Sequence, residues 1–168
     1  MSTIRAERPT DTHAVREINE HAFDTPAEAR LVDLLRERGT LVVSLVAESG
    51  GRVVGHIAFS PVSIAARPQL QGLGLGPMAV LPSCQNQGTG SQLVREGLSR
   101  CRELGVHFVV VLGHPHFYPR FGFLPASRFR LRCRWPAPEG AFMAIELQPG
   151  SLLDADGLVS YEPEFNDV

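Results

Sequence analysis

The chain has 168 residues, of which 43% are hydrophobic and 20% charged, and a net charge of -2. That length suffices for one domain with a proper core and is short for two. The balance excludes a basic nucleic-acid footprint, and no apolar run approaches the roughly 18 residues of a membrane span.

Residues 2–8 alternate weakly and read as a first strand. From Asp11 to Phe23, Ala14, Val15, Ile18 and Ala22 recur at helical spacing. The tetrapeptide TPAE then sets Thr25 as N-cap, Pro26 at the first helical position and Glu28 three residues past the cap, opening a second helix that Gly39 stops. LVVSLVAE, the turn SGGR and VVGHIAFSPVSI form a hairpin signal. A linker around Arg67 and Pro68 leads to the glycine-rich strand LQGLGLGPMAVLP. Next comes a helix with Leu93, Val94, Gly97, Leu98, Cys101 and Leu104 near a 3.6 period, ended by Gly105.

The apolar run VHFVVVLG reads as a buried strand. HPHFYPRFGF is turn-rich with a single helical turn, EGAFMAIEL is a further strand, and 148–168 an acidic, loop-like tail. The order βααβββαβ, then a short helix and more strands, gives a mixed α/β domain over 1–168 around one twisted sheet of about seven strands. The N-terminus MSTIRAERP lacks the apolar core of a signal peptide, so a cytoplasmic location is expected. All 16 basic residues are arginine, which excludes Schiff-base lysine chemistry and a P-loop lysine. Cys84, Cys101 and Cys133 show neither a CxxC nor a metal-ligand spacing and read as free thiols. His114 and His116 make an HxH pair without a third ligand, so no metal is expected.

Gly88 and Gly90 stand where a helix should nucleate, although glycine is a poor helix former. The first N–H groups of a helix lack partners within it, and the macrodipole makes that end positive. A phosphate satisfies both and approaches closely only where side chains are absent. Gln85, Asn86 and Gln87 add neutral donors on the rim, and Ser91 a hydroxyl. A turn that merely caps a helix would look the same, and neither the P-loop nor the dinucleotide fingerprint fits.

Gln85-x-x-Gly88-x-Gly90, between a strand and a helix, resembles the acetyl-CoA signature Q/R-x-x-G-x-G/A of the GCN5-related N-acetyltransferases (GNAT). Tyr118 ahead of Gly122-Phe123 in YPRFGF is similar to a second feature of that family. GHIAFSPV, GLGPMAVLP, VVVLG and FYPRFGF together resemble its small YhbS-like bacterial branch, over roughly residues 2 to 165.

The resemblance implies a sheet with one splayed pair of strands, along which the pantetheine of acetyl-CoA lies on the main chain of Met78, Ala79 and Val80. It implies a diphosphate on the amides of Gln87, Gly88, Thr89, Gly90 and Ser91, with Gln85, Asn86, Phe117 and Tyr118 completing the cofactor site. The implied reaction is direct attack of a primary amine, of a small molecule or an aminoacyl group, on the thioester. An N–H near Ala79 or Val80 would steady the developing oxyanion, and Tyr118 would serve the departing thiolate. For the base, Glu20, His21, His56 and water all stay open. A non-catalytic acyl-CoA-binding or sensing module, or an acyltransferase using another acyl-CoA, would keep the same glycines and strand edge. A homodimer is common in this fold, and neither nucleic acid nor membrane is implied as a partner.

Overall fold

The computed structural model describes residues 2–168. Its strands form an open, mixed sheet of nine strands. The chain divides into two compact units, one holding the residues up to Ser60, Gly76–Ser99 and Pro163–Val168, the other Pro61–Leu75 and Arg100–Glu162.

In the first unit, β1 (Thr3–Ala6) lies antiparallel to β2 (Val43–Ser49), and β2 antiparallel to β3 (Arg52–Ile64). Helices α1 (Thr12–Ala22) and α2 (Ala27–Arg38) intervene between β1 and β2. Their apolar stripes bury Val15, Ile18, Leu31, Val32 and Leu35, as period-3.6 patterning requires. Thr25 Oγ1 accepts from the Ala27 N–H at 3.3 Å and donates to Glu28 at the same distance. Gly39 closes α2 in the left-handed region, φ +72°, a conformation in which its missing Cβ removes the steric cost. Asp11, ahead of α1, accepts two bonds from the Arg5 guanidinium and one from the Arg8 N–H. The Arg5 bonds hold its carboxyl below the usual range.

Strand β4 (Gly72–Val80) and helix α3 (Thr89–Glu103) each run through both units. Within the first unit, α3 packs closely because two glycines permit it. A Cβ on Gly97 would sit 2.5 Å from the Phe59 ring, and one on Gly55 would sit 3.2 Å from Leu93. Leu93, Val94 and Leu98 are buried. Leu104, expected to face inward, is 57% exposed. It lies beyond the last helical residue, Glu103, just before Gly105 turns the chain at φ +77°.

In the second unit, residues 72–75 of β4 run parallel to β5 (Phe108–Leu112), which pairs antiparallel with β8 (Phe142–Glu146). The two-residue β6 (Leu124–Pro125) adds to β8. Strand β7 (Leu131–Cys133) pairs with β9 (Gly157–Tyr161), and β9 with the end of β3. The core gathers Val62, Phe108, Val110, Leu131, Ala144 and Val159. The stretch 148–168 is therefore not all loop: GLVSY alternates, with Leu158 45% exposed and Val159 fully buried, and its pairing partners lie far away in sequence. The single helical turn expected after β5 is a 3-10 turn, Tyr118–Phe121.

Gly→Ala within a helix ordinarily stabilises by about 1 kcal/mol. At Gly97 the new methyl meets the Phe59 ring, so Gly97→Ala is expected to destabilise by about 1–3 kcal/mol. Urea unfolding decides the sign, and a raised midpoint would show that the ring yields.

Candidate active site

The turn that opens α3 is anchored to the sheet before it meets the helix. The Leu81 N–H donates to Val54 O at 2.9 Å, and a 3-10 turn (Pro82–Cys84) follows. Gln85, expected on the rim as a donor, is exposed but spends one amide N–H inward: Nε2 donates to Val80 O at 3.0 Å. Its side chain thus stitches the start of the turn to the end of β4. Asn86 and Gln87 are exposed, and Asn86 takes φ +62°, a value that asparagine tolerates better than most residues.

Gly88 has φ +85°, and a Cβ built on it meets nothing within 4 Å. The glycine is therefore needed for its backbone angle, and a Cβ there would stand in open space at the residue before the helix. The Gln92 N–H donates to Gly88 O at 3.0 Å, which closes the first turn of α3. The amides of Thr89, Gly90 and Ser91 precede that bond and belong to the positive end of the helix. Thr89 is 5% exposed, with its hydroxyl 3.4 Å from that of Ser2. Its side chain is turned into the protein, so the turn offers main chain rather than hydroxyl. The opening fits a diphosphate: a side-chain-free approach to several amides.

Along β4, Ala79 is buried while Met78 and Val80 are half-buried. The parallel register with β5 covers Gly72 to Leu75, so Met78, Ala79 and Val80 come after it in the strand. The Val80 carbonyl already accepts from Gln85.

Tyr118 is buried to 7% exposure, in T-shaped contact with Phe117 (5.0 Å) and Phe123 (5.7 Å). A Cβ on Gly113 would fall 2.5 Å from its ring, so Gly113 makes room for the tyrosine. Burial pushes its phenol up to about 12. The Arg120 guanidinium lies 4.8 Å over the Phe117 ring and donates to the Phe117 carbonyl.

The base candidates part company. Glu20 and His21 are exposed on α1, with Glu20 3.9 Å from Arg16. His56, by contrast, is fully buried inside a chain of polar groups. Arg36 donates to Glu7 at 2.5 Å, the Ser44 hydroxyl donates to Glu7 at 2.5 Å, and Ser44 Oγ lies 2.8 Å from His56 Nε2. Because Ser44 spends its proton on Glu7, it must accept from Nε2–H. That assigns the tautomer and leaves Nδ1 facing the Asn19 amide at 3.4 Å. Burial first, and the Arg36 charge second, push the imidazole down to about 3. Sealed from solvent and hard to protonate, His56 is a poor acceptor for a proton released near neutral pH. This argues against the catalytic role expected for it and for a place in the framework. His114 and His116 are exposed. Among the described residues no group of three His, Cys, Asp or Glu side chains could hold a metal ion.

The model of the acetyltransferase (GNAT) family matches residues 11–123, and the chain belongs to that family of enzymes. Over 164 residues, 97% of this chain and 98% of the relative, it is 43% identical to a protein of Escherichia coli K12 named uncharacterized N-acetyltransferase YhbS. The crystal structure of E. coli YhbS in complex with CoA superposes with a TM-score of 0.93 over 98% of this chain and 92% of that one. A GNAT family acetyltransferase from Brucella melitensis in complex with acetyl-CoA, 36% identical, has a TM-score of 0.82 and 98% coverage of both chains.

Sequence reasoning missed Gly113, the inward turn of the Thr89 hydroxyl and the polar partners of His56. A glycine five residues before a tyrosine carries no local signal, and Glu7, Asn19, Arg36 and Ser44 converge from four separate segments.

The unfolded chain binds a proton on His56 near its ordinary value of 6.5, and the folded chain only near 3. Folding stability is therefore lost as pH falls from about 6.5 toward 3, by up to about 1.4 kcal/mol per pH unit from this group. In His56→Gln that share of the slope disappears. Urea unfolding of both proteins at pH 7, 6 and 5 checks it, and parallel slopes would refute it.

Proposed function

We propose that this enzyme moves an acetyl group from acetyl-CoA to a primary amine of a small molecule or an aminoacyl group, by direct attack with both substrates bound. Residues 1–168 would act as one N-acetyltransferase domain, in the bacterial cytoplasm. The observation that carries the reading is the open space around Gly88, the residue that leads into the first amides of α3. That CoA and acetyl-CoA are bound by relatives of 43% and 36% identity supports it.

In this reading the amides of Gln87, Gly88, Thr89, Gly90 and Ser91 hold the diphosphate, with Asn86 at the rim. Gln85 works indirectly, keeping the turn tied to β4. The main chain of Met78, Ala79 and Val80 takes the pantetheine, and Phe117 lends it an apolar wall. A main-chain N–H near Ala79 or Val80 opposes the charge that develops on the thioester oxygen. A preorganised donor of this kind is worth roughly 3–4 kcal/mol of barrier.

Tyr118, with its phenol near 12, stays protonated at neutral pH. A thiol ionises near about 8.5, so full proton transfer from the phenol would run uphill. Tyr118 therefore offers the departing thiolate a hydrogen bond. Glu20, or water beside it, accepts the proton from the amine.

Because Gly88 is left-handed, Gly88→Val would strain the backbone as well as fill the opening. Gly88→Asn separates the two effects, since asparagine tolerates that angle. It is expected to unfold close to the parent yet bind CoA at least about tenfold more weakly by calorimetry. Undiminished binding would remove the phosphate cradle from the account. Tyr118→Phe should keep CoA affinity and lower kcat by about tenfold or more, followed as free thiol released with a panel of amines.

A further inference from the structure

Strand β5 ends at Leu112, and the residue after it is a glycine that the backbone does not require. Gly113 does not have the positive φ that favours glycine. Its N–H donates to Ala141 O at 2.9 Å, one residue beyond the pairing of Leu112 with Phe142. The main chain at this point is therefore held to the segment that leads into β8. What the position cannot hold is a side chain. A Cβ there would stand 2.5 Å from Cε2 of Tyr118, 3.2 Å from Cδ2 and 3.4 Å from Cζ.

The ring that it would strike is confined. Phe117, Phe123 and Phe121 meet Tyr118 in T-shaped contacts at 5.0, 5.7 and 6.5 Å, and Phe123 is 1% exposed. All of these residues lie in the second unit. The contact falls at Cε2, next to the carbon that carries the hydroxyl, rather than at the root of the side chain. Carbon atoms in ordinary contact stand about 3.5–4.0 Å apart, so a methyl at position 113 would push that end of the ring by about 1 Å. The hydroxyl itself makes no hydrogen bond among the described residues and keeps some accessible surface. No polar partner in the chain fixes its place; the packing around the ring does, and Gly113 is part of that packing.

We propose, building on the reading of Tyr118 given above, that Gly113 is a positioning residue for acyl transfer, which sets where the Tyr118 hydroxyl stands relative to the departing thiolate. The bare Cα lets the ring take the place from which its O–H reaches the sulfur, and a methyl there withdraws that hydrogen bond. A displacement of about 1 Å can cost a hundredfold in rate. CoA affinity, which rests on the turn of the first unit, is left nearly unchanged.

The test needs no known acceptor, because the thiol of free CoA stands in for the departing thiolate. Tyrosine labelled with ¹³C at Cζ gives two signals, since the chain has two tyrosines, and Tyr118→Phe assigns them. CoA and desulfo-CoA, which lacks the sulfur, are titrated in turn. In the parent the Tyr118 signal is expected to shift more with CoA than with desulfo-CoA. In Gly113→Ala that difference is expected to vanish, with CoA affinity by calorimetry within about twofold of the parent.

Thiol release from acetyl-CoA with the panel of amines adds a second readout. Gly113→Ala should lower kcat about tenfold, to the level of Tyr118→Phe, with KM for acetyl-CoA unchanged, and should remove nothing further in the double variant Gly113→Ala/Tyr118→Phe. The ring and its clash persist in that double variant, so a merely structural effect would lower kcat by the same factor in both backgrounds. If Gly113→Ala fails to fold by urea unfolding, Phe123→Leu opens space beside the ring, and Gly113→Ala/Phe123→Leu is compared with Phe123→Leu alone. A sulfur-dependent shift that persists in the folded alanine variant, or equal losses of kcat with and without the hydroxyl, overturns the proposal and leaves the role of Tyr118 standing. Absence of that shift in the parent overturns both.

Discussion

The positive end of helix α3 is the constraint around which the candidate active site is organised. A helix start has amides to offer only while nothing in the protein answers them. Three features keep it so here: Gly88 opens the approach, Thr89 turns its hydroxyl inward toward Ser2, and Gln85 reaches back to Val80. Each removes a side chain that would otherwise compete for the amides or block access to them. What this spot presents is main chain, and the side chains around it stay out of the way.

A second level of organisation holds the strands behind that turn. The polar chain from Arg36 through Glu7 and Ser44 to His56 joins α2, the segment after β1, β2 and β3. Buried polar groups stabilise little unless every member is satisfied. Here each proton has an assigned direction as far as the imidazole, while Asn19 Oδ1 beside it is buried without a partner among the described residues. Such a chain specifies one arrangement of its elements more strictly than apolar packing would, because a shift of any member strands a buried donor or acceptor.

The turn was legible from sequence because its chemistry is written as missing side chains at fixed spacing. Helix limits were legible for a related reason: Gly39 and Gly105 adopt left-handed angles that few other residues accept. Periodicity identified the buried faces of α1 and α3, including Cys101, which is fully buried. Strand β9 escaped because its partners, β3 and β7, are distant in sequence and its five residues carry little local signal. His56 misled for the opposite reason. Its residue type suggests acid–base chemistry, whereas its behaviour is set by burial and by partners that no local pattern reveals.

The seat of the Phe59 ring on Gly97 has a consequence for how this chain can vary. The ring occupies the space that a Cβ on Gly97 would take, and Thr89 lies eight residues before it, about 12 Å along the axis. Loss or gain of a single residue between them would swing the mouth of the helix by about 100° around the axis, aiming its amides elsewhere. Between positions 89 and 97 the spacing itself is a fixed dimension. Related chains should tolerate many letters in this window and no change in their number.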